Sequence, residues 1–169
     1  DGSYIGIPKI ISKELSKKAS FLTANTQLFS DFHVITNTNI YKHDQTNFKN
    51  MYIKKNKNLT EDEFEDELFI VLVKNDNLNI ITGCSHRGIT NIIKSAQNIF
   101  NMPVNIVFGG MHLNSSGEQR KKLIIKELQE LGIKKIVANH CTGLLGFHEI
   151  KNIFQQKAEY GYIGQSFNI

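Results

Sequence analysis

The sequence is poor in cysteine and has no long apolar run. Its two cysteines, Cys84 and Cys141, lie 57 positions apart and form no Cys-x-x-Cys motif. We therefore expect no disulfide scaffold, and we expect the protein to reside in a reducing compartment. No apolar stretch approaches the roughly 18 residues that a membrane-spanning helix needs. We therefore expect a soluble, cytoplasmic protein with no membrane partner.

Arginine is scarce as well, and this argues against a nucleic-acid partner. The 20 Lys and Arg residues outnumber the 16 Asp and Glu residues, which gives a formal net charge of +4. Arg87 and Arg120 are the only arginines, however, and the lysines are scattered along the chain. Proteins that bind nucleic acids cluster their basic residues and use forked arginine contacts. The positive charge alone therefore does not indicate nucleic-acid binding.

The composition predicts one folded domain with two unlike parts. The chain of 169 residues has 40% hydrophobic and 21% charged residues, which is the balance of a globular domain. Residues 1–66 are polar and irregular, and they indicate a short helix over 12–19 and strands over 32–36 and 51–54. Residues 37–50 are predicted to form a long surface loop, either a loose excursion or a lid that faces a substrate.

Residues 67–169 alternate predicted strands with predicted helices. The strands are predicted over 68–73, 78–82, 104–108, 133–138 and 160–163, and the helices over 89–100, from 117 to 131 and over 147–156. This alternation is typical of βαβ units, in which helices cover a sheet, so the predicted fold class is α/β. The acidic run over residues 61–67 is interpreted as a solvated turn rather than a metal site.

Three histidines, His86, His112 and His140, share one position in this pattern. Each lies just after a predicted strand and before a predicted helix. Ligands of α/β proteins bind in the crevice outside the carboxyl ends of the strands, so we expect the three imidazoles to converge there. Imidazole suits zinc and iron, and a catalytic zinc site typically uses three protein ligands and an open position. The sequence therefore predicts a metal site formed by these histidines.

The other histidines and the cysteines carry weaker signals. His33, His43 and His148 lack that position and are interpreted as surface or hydrogen-bonding residues. Cys84 ends a buried strand, so packing is the better account of it. Cys141 adjoins a candidate ligand and is a candidate to support that ligand.

The loops that carry the three histidines resemble motifs of the metallo-β-lactamase superfamily. Gly-Cys-Ser-His over 83–86, Gly-Gly-Met-His-Leu over 109–113 and His-Cys-Thr-Gly over 140–143 are similar to the later motifs of its dihydropterin-aminobenzene-phosphate synthase-like subgroup. The resemblance implies an αββα sandwich, here incomplete, with one or two metal ions at one edge.

The resemblance also implies roles for these residues. His86 matches a ligand of the first metal and His140 a ligand of the second, while His112 is either a ligand or a substrate contact. Zinc is the expected metal, with iron or manganese as alternatives. The implied activity is that of a hydrolase, or a transferase-like relative, which acts through a metal-bound water on a small, phosphorylated or pterin-linked substrate. The backbone N–H groups over residues 83–88 are candidate donors to an oxyanion or phosphate.

The superfamily's principal metal motif, His-x-His-x-Asp-His, is missing, and the sequence contains no His-x-His. Because a catalytic zinc needs about three protein ligands, the matched histidines would leave the metal under-coordinated. We therefore expect a C-terminal portion of a single superfamily domain, with 1–66 as its middle region and 67–169 as its βαβ half. The alternative is a non-catalytic fragment or assembly module. Such a module needs a partner, either a separate N-terminal half or a second copy of the chain, and without it exposes an apolar sheet face.

Overall fold

A computed structural model describes residues 4, 6–42 and 45–167, which contain nine strands and four helices. The strands are β1 (Thr26–Phe29), β2 (Phe32–Ile35), β3 (Tyr52–Lys55), β4 (Asn58–Glu61), β5 (Phe69–Lys74), β6 (Asn77–Thr82), β7 (Val104–Gly110), β8 (Lys135–Asn139) and β9 (Ala158–Tyr160). The helices are α1 (Lys9–Ser16), α2 (Ile89–Phe100), α3 (Glu118–Glu130) and α4 (Gly143–Phe154). None of these helices has the length and apolar character needed to cross a membrane.

Seven strands form one mixed sheet in the order β1-β2-β5-β6-β7-β8-β9, and β3 pairs with β4 in a separate hairpin. The strands from β1 to β6 pair antiparallel, whereas β6, β7, β8 and β9 pair parallel. One helix connects each parallel pair. Because each crossover moves one place in the same direction and such crossovers are right-handed, α2, α3 and α4 pack on the same face of the sheet.

The core lies between the sheet and these three helices. Side chains alternate along the strands, so Phe69 and Val71 of β5 and Leu78 and Ile80 of β6 are completely buried. Their helical partners in the core include Ile92 and Ile93 of α2, Ile124 and Leu128 of α3, and Ile150 of α4. The opposite face is apolar too: Phe32, Ile70, Ile81 and Phe108 lie there half-buried. Apolar side chains therefore line both faces of the sheet.

The predicted pattern of strands and helices is confirmed in the second part of the chain, with shifts at its end. The third predicted helix begins at Gly143 rather than at residue 147, because its first turn contains glycines that resemble a loop in the sequence. The last strand ends at Tyr160, where it was predicted to begin. In the first part, β1 and β4 were not predicted, since both are short and mostly exposed.

The segment over residues 37–50 is held against α2 in its described part, so its interpretation as a loose excursion was wrong. The backbone N–H groups of Tyr41 and Lys42 donate to Oδ1 of Asn91, at 3.0 and 3.1 Å. Asn91 is completely buried, and its Nδ2 donates in return to the carbonyl oxygen of Lys42 at 3.1 Å. Hydrogen bonds to the side chain of Asn91, rather than pairing with a strand, thus hold this part of the segment in place.

A buried carboxylate ties the same segment to α3. The side chain of Glu127 is 5% exposed; it pairs with Nζ of Lys42 at 3.0 Å and also contacts Lys94 and Gln45. Burial opposes ionisation, but hydrogen bonds from Lys94, Gln45 and Lys42 outweigh it and hold the pKa of Glu127 below its ordinary value of 4.5. Glu127 therefore links α2, α3 and the segment over residues 37–50.

Candidate metal centre

The three histidine loops meet at one edge of the sheet. They follow the neighbouring parallel strands β6, β7 and β8, whose carboxyl ends face the same side. The N–H of Gly110 donates to the carbonyl oxygen of Gly83 at 2.8 Å, which joins the first two loops. The N–H of Asn114 donates to the carbonyl oxygen of Cys141 at 3.1 Å, which joins the second and third.

Each loop also holds one non-glycine residue in the left-handed region of backbone conformation. These residues are Ser85, His112 and His140, with φ values of 59°, 47° and 48°. Such a conformation costs about 1–3 kcal/mol per residue and persists only where the surrounding structure enforces it. All three loops that carry the predicted ligands therefore contain a strained residue.

His86 and His112 lie in contact, with ring centroids 4.4 Å apart. Nδ1 of His86 lies 3.2 Å from the backbone oxygen of Asn47, so an Nδ1–H donates to it and leaves the Nε2 lone pair for a metal. The side-chain amide of Asn47 contacts Nδ1 of His112. The ring of Phe64 stacks on His86, with centroids 3.8 Å apart. Asn47 and Phe64 therefore fix the orientation of this histidine pair.

The environment of His112 keeps its imidazole neutral. Burial, followed by the nearby His86, lowers the pKa of His112 from its ordinary 6.5 to about 4. A neutral imidazole has the lone pair that a metal ligand needs. At neutral pH, the imidazole of His112 is therefore uncharged.

His140 lies with both cysteines rather than with the histidine pair. Its Nδ1 is 3.3 Å from Sγ of Cys84, and the ligand atoms of Cys84, His140 and Cys141 all lie within 4.8 Å of one another. Within the described part of the chain, no other three His, Cys, Asp or Glu side chains bring their ligand atoms this close together. Burial, followed by the charge of Cys84, raises the pKa of Cys141 to about 12. The interpretation of Cys84 as a packing residue missed its contact with His140.

Glu67 was missed because it ends an acidic run that resembles a solvated turn. Its carboxylate accepts hydrogen bonds from the backbone N–H groups of His86, at 2.6 Å, and of Arg87, at 3.0 Å. Burial raises the pKa of Glu67, although the two N–H groups act against that rise. Glu67 is therefore a positioning residue for the loop that carries His86.

The same bonds correct a prediction about the loop over residues 83–88. The N–H groups of His86 and Arg87 are bound to Glu67, and that of Gly88 donates to the carbonyl oxygen of Ser85 at 3.0 Å. These three groups are satisfied inside the protein. Their assignment as donors to an oxyanion or phosphate was wrong.

The structure agrees with the ordinary roles given to two other histidines. His33 packs edge-to-face on Phe100, with ring centroids 4.9 Å apart. His148 is exposed on α4, with Nε2 3.1 Å from Nδ2 of Asn152. His43 lies outside the described residues.

Replacing Glu67 by Gln should loosen the His86 loop. The neutral amide loses one of two charge-assisted hydrogen bonds, so we expect the free energy of unfolding to fall by about 1 kcal/mol. Urea unfolding monitored by circular dichroism measures this change. Glu65→Gln is the matched control, because Glu65 is an exposed neighbour. Equal stability of the two variants would contradict the positioning role of Glu67.

Comparisons with known proteins agree with this fold. The crystal structure of Tm1679, a metal-dependent hydrolase of the beta-lactamase superfamily, superposes with a TM-score of 0.80 at 30% identity. The superposition covers 88% of this chain and 57% of that one. No protein-family model matches the chain.

Two proteins of Methanocaldococcus jannaschii are similar in sequence. The 7,8-dihydropterin-6-methyl-4-(beta-D-ribofuranosyl)-aminobenzene-5'-phosphate synthase is 34% identical over 116 residues, which cover 68% of this chain and 40% of the synthase. An uncharacterised protein is 24% identical over 166 residues, which cover 98% of this chain and 61% of that protein. The chain thus spans about half the length of the relatives it matches.

The three-histidine edge, the sheet with its helices and the match to Tm1679 define the class: the chain belongs to the metallo-β-lactamase superfamily. Within that superfamily, its sequence places it in the subgroup similar to the dihydropterin-linked aminobenzene phosphate synthase.

Proposed function

We propose that this protein is a metal-dependent hydrolase that acts on a small, phosphorylated or pterin-linked substrate. The observation that carries the proposal is the contact of His86 and His112 at the carboxyl edge of the parallel strands, where Nδ1 of His86 is bound to the backbone oxygen of Asn47. The name of the similar synthase supports the substrate class, and that of the similar hydrolase supports the reaction type.

The donor set fits a borderline divalent metal. His86 and His112 supply imidazoles oriented by Asn47, and His140 lies close enough for its charge to affect the pKa of His112. His86 and His112 would hold the metal, and His140 would be a third ligand only with its ring turned from Cys84 towards this pair. When bound, a divalent metal lowers the pKa of water towards neutrality and polarises an ester or phosphoester oxygen.

The chain's own residues prepare this edge for a ligand. Glu67 fixes the backbone of the His86 loop, Asn47 orients both rings, and Phe64 covers one face of His86 and excludes water from it. Because these contacts already fix the two imidazole rings, the rings lose little conformational freedom when a metal binds. Loss of such supporting contacts typically lowers metal affinity or activity by about 10–100-fold.

Replacing His86 or His112 by Ala tests the proposal. By elemental analysis, each variant should hold less metal than the unmodified protein, because the histidine centre no longer binds its ion. Hydrolysis of a nitrophenyl phosphoester should fall by about 100-fold or more in each variant, because losing a ligand costs at least as much as losing its supporting partner. His148→Ala is the matched control, since His148 is exposed and remote from the metal centre.

An assembly module is the second candidate function, and the half-buried apolar residues on the sheet face that carries Ile81 and Phe108 favour it. On this proposal, the protein completes its metal site only with a further polypeptide that covers that face. Absence of both metal and hydrolysis in the unmodified protein would support this candidate and contradict the hydrolase.

A further inference from the structure

We infer that Cys84, His140 and Cys141 form a separate binding site for a soft divalent metal such as Zn²⁺, with two thiolates and one imidazole as ligands. This site takes His140, which is also a candidate third ligand of the proposed hydrolytic centre, and adds two thiolates that the centre does not use. It concerns metal binding alone, so it can succeed or fail whatever the protein hydrolyses.

The spacing of the three donor atoms is close to that of ligands around one metal ion. Zn–S bonds of about 2.3 Å and Zn–N bonds of about 2.0–2.1 Å in a tetrahedron place two ligand atoms about 3.5–3.8 Å apart. Sγ of Cys84 and Nδ1 of His140 are 3.3 Å apart, and all three donor atoms lie within 4.8 Å of one another. Small rotations of the side chains are therefore enough to enclose an ion.

Gly110 is the reason that the two thiols can meet. Cys84 follows β6 and Cys141 follows β8, and β7 lies between them. Neighbouring strands are about 4.8 Å apart, so the two backbones are separated by about twice that distance. A Cβ on Gly110, at the end of β7, would lie 2.5 Å from Sγ of Cys141. The missing side chain thus leaves the space through which Cys141 reaches Cys84.

The turn that carries two of the three ligands is fixed independently of any metal. Residues 140–142 form a short 3₁₀ turn, and the hydroxyl of Thr142 accepts a hydrogen bond from the N–H of Met111 at 3.0 Å. The carbonyl oxygen of Cys141 accepts from Asn114 at 3.1 Å, and its thiol donates to the carbonyl oxygen of Cys84 at 3.4 Å. The ligands are therefore held close together before a metal binds.

The chemistry of the donors selects the metal. Thiolates favour Zn²⁺ and other soft ions over Mg²⁺ or Mn²⁺, which prefer oxygen ligands. Three protein ligands leave one tetrahedral position open, as in catalytic rather than structural zinc sites. His140 is exposed, so this open position is accessible from solvent.

Titration of the reduced, metal-free protein with Co²⁺ tests the site. We expect a thiolate-to-cobalt charge-transfer band that saturates with bound metal and disappears when Zn²⁺ is added. Cys84→Ser and Cys141→Ser should each weaken the band strongly, and His140→Ala should shift it and weaken binding by at least about 10-fold, because losing a ligand costs no less than losing its supporting partner. His86→Ala should keep the band, which separates this site from the proposed hydrolytic centre, and His148→Ala is the matched control.

X-ray absorption of the zinc-loaded, unmodified protein gives a second readout that does not depend on the folding of variants. Two sulfur neighbours per zinc are expected. Zinc with only nitrogen and oxygen neighbours, or a cobalt spectrum without a thiolate band, would overturn the inference. So would a reduced protein that takes up no metal and whose thiols instead form a Cys84–Cys141 disulfide when hydrogen peroxide is added.

Discussion

Gly109→Ala should lower the free energy of unfolding by about 3 kcal/mol or more. Gly109 lies in β7 with φ of 145°, a conformation that side chains with a Cβ rarely adopt. A Cβ there would also lie 2.3 Å from the backbone oxygen of Thr82, at the end of β6. Because backbone cannot rotate away as a side chain can, relief requires β6 and β7 to separate. Urea unfolding measured by circular dichroism gives the change.

Gly83→Ala is the matched control for this prediction. Gly83 lies at the same edge of the sheet, but a Cβ at Gly83 would meet no atom within 4 Å. We expect the stability of this variant to stay within about 1 kcal/mol of the unmodified protein. Similar losses in the two variants would contradict the close approach of Gly109 to β6.

Glu127→Ala is the second substitution for which we expect a large effect. Removing one partner of a buried ion pair costs about 3–5 kcal/mol, because it leaves the other charge without compensation. We expect about 3 kcal/mol, the lower end of that range, because the side chains of Lys94 and Lys42 are 29% and 47% exposed and keep contact with water. Unfolding by urea at neutral pH measures the loss. Glu130→Ala is the control, because Glu130 is 61% exposed on the same helix.

The pH dependence of this difference follows from the lowered pKa of Glu127. A carboxyl group whose pKa is lower in the folded than in the unfolded protein stabilises the fold above its unfolded pKa of about 4.5. That contribution is lost as the pH falls through the lowered pKa of the folded state. The stability difference between the unmodified protein and Glu127→Ala should therefore shrink below pH 4.5. A difference that stays constant on acidification would contradict the ion pairs.

The sequence predicted which loops share one edge of the sheet better than it predicted the contacts within them. Periodic apolar residues indicated β6, β7 and β8, and the position of a histidine after each strand indicated the shared edge. The contacts made by Asn47, Glu67 and Cys84 could not be predicted in this way. Asn47 is 65 positions from His112, Glu67 is 19 from His86 and Cys84 is 56 from His140. Only the folded backbone brings such pairs together.

The approach of Cys141 to Cys84 could not be predicted from the sequence for a further reason. Whether Cys84 packs in the core or faces Cys141 depends on the space above β7, and that space exists because residue 110 has no side chain. A glycine in a sequence indicates a turn or a close approach without naming the group that approaches.

The buried amide of Asn91 determines how the segment over residues 37–42 unfolds. If the segment detached alone, the side chain of Asn91, which is completely buried in the folded protein, would exchange its bonds to the backbone of Tyr41 and Lys42 for bonds to water. We therefore expect opening of the segment to be coupled to opening of α2. Although 49 positions separate Lys42 from Asn91, we expect the two elements to exchange their amide hydrogens as one cooperative unit.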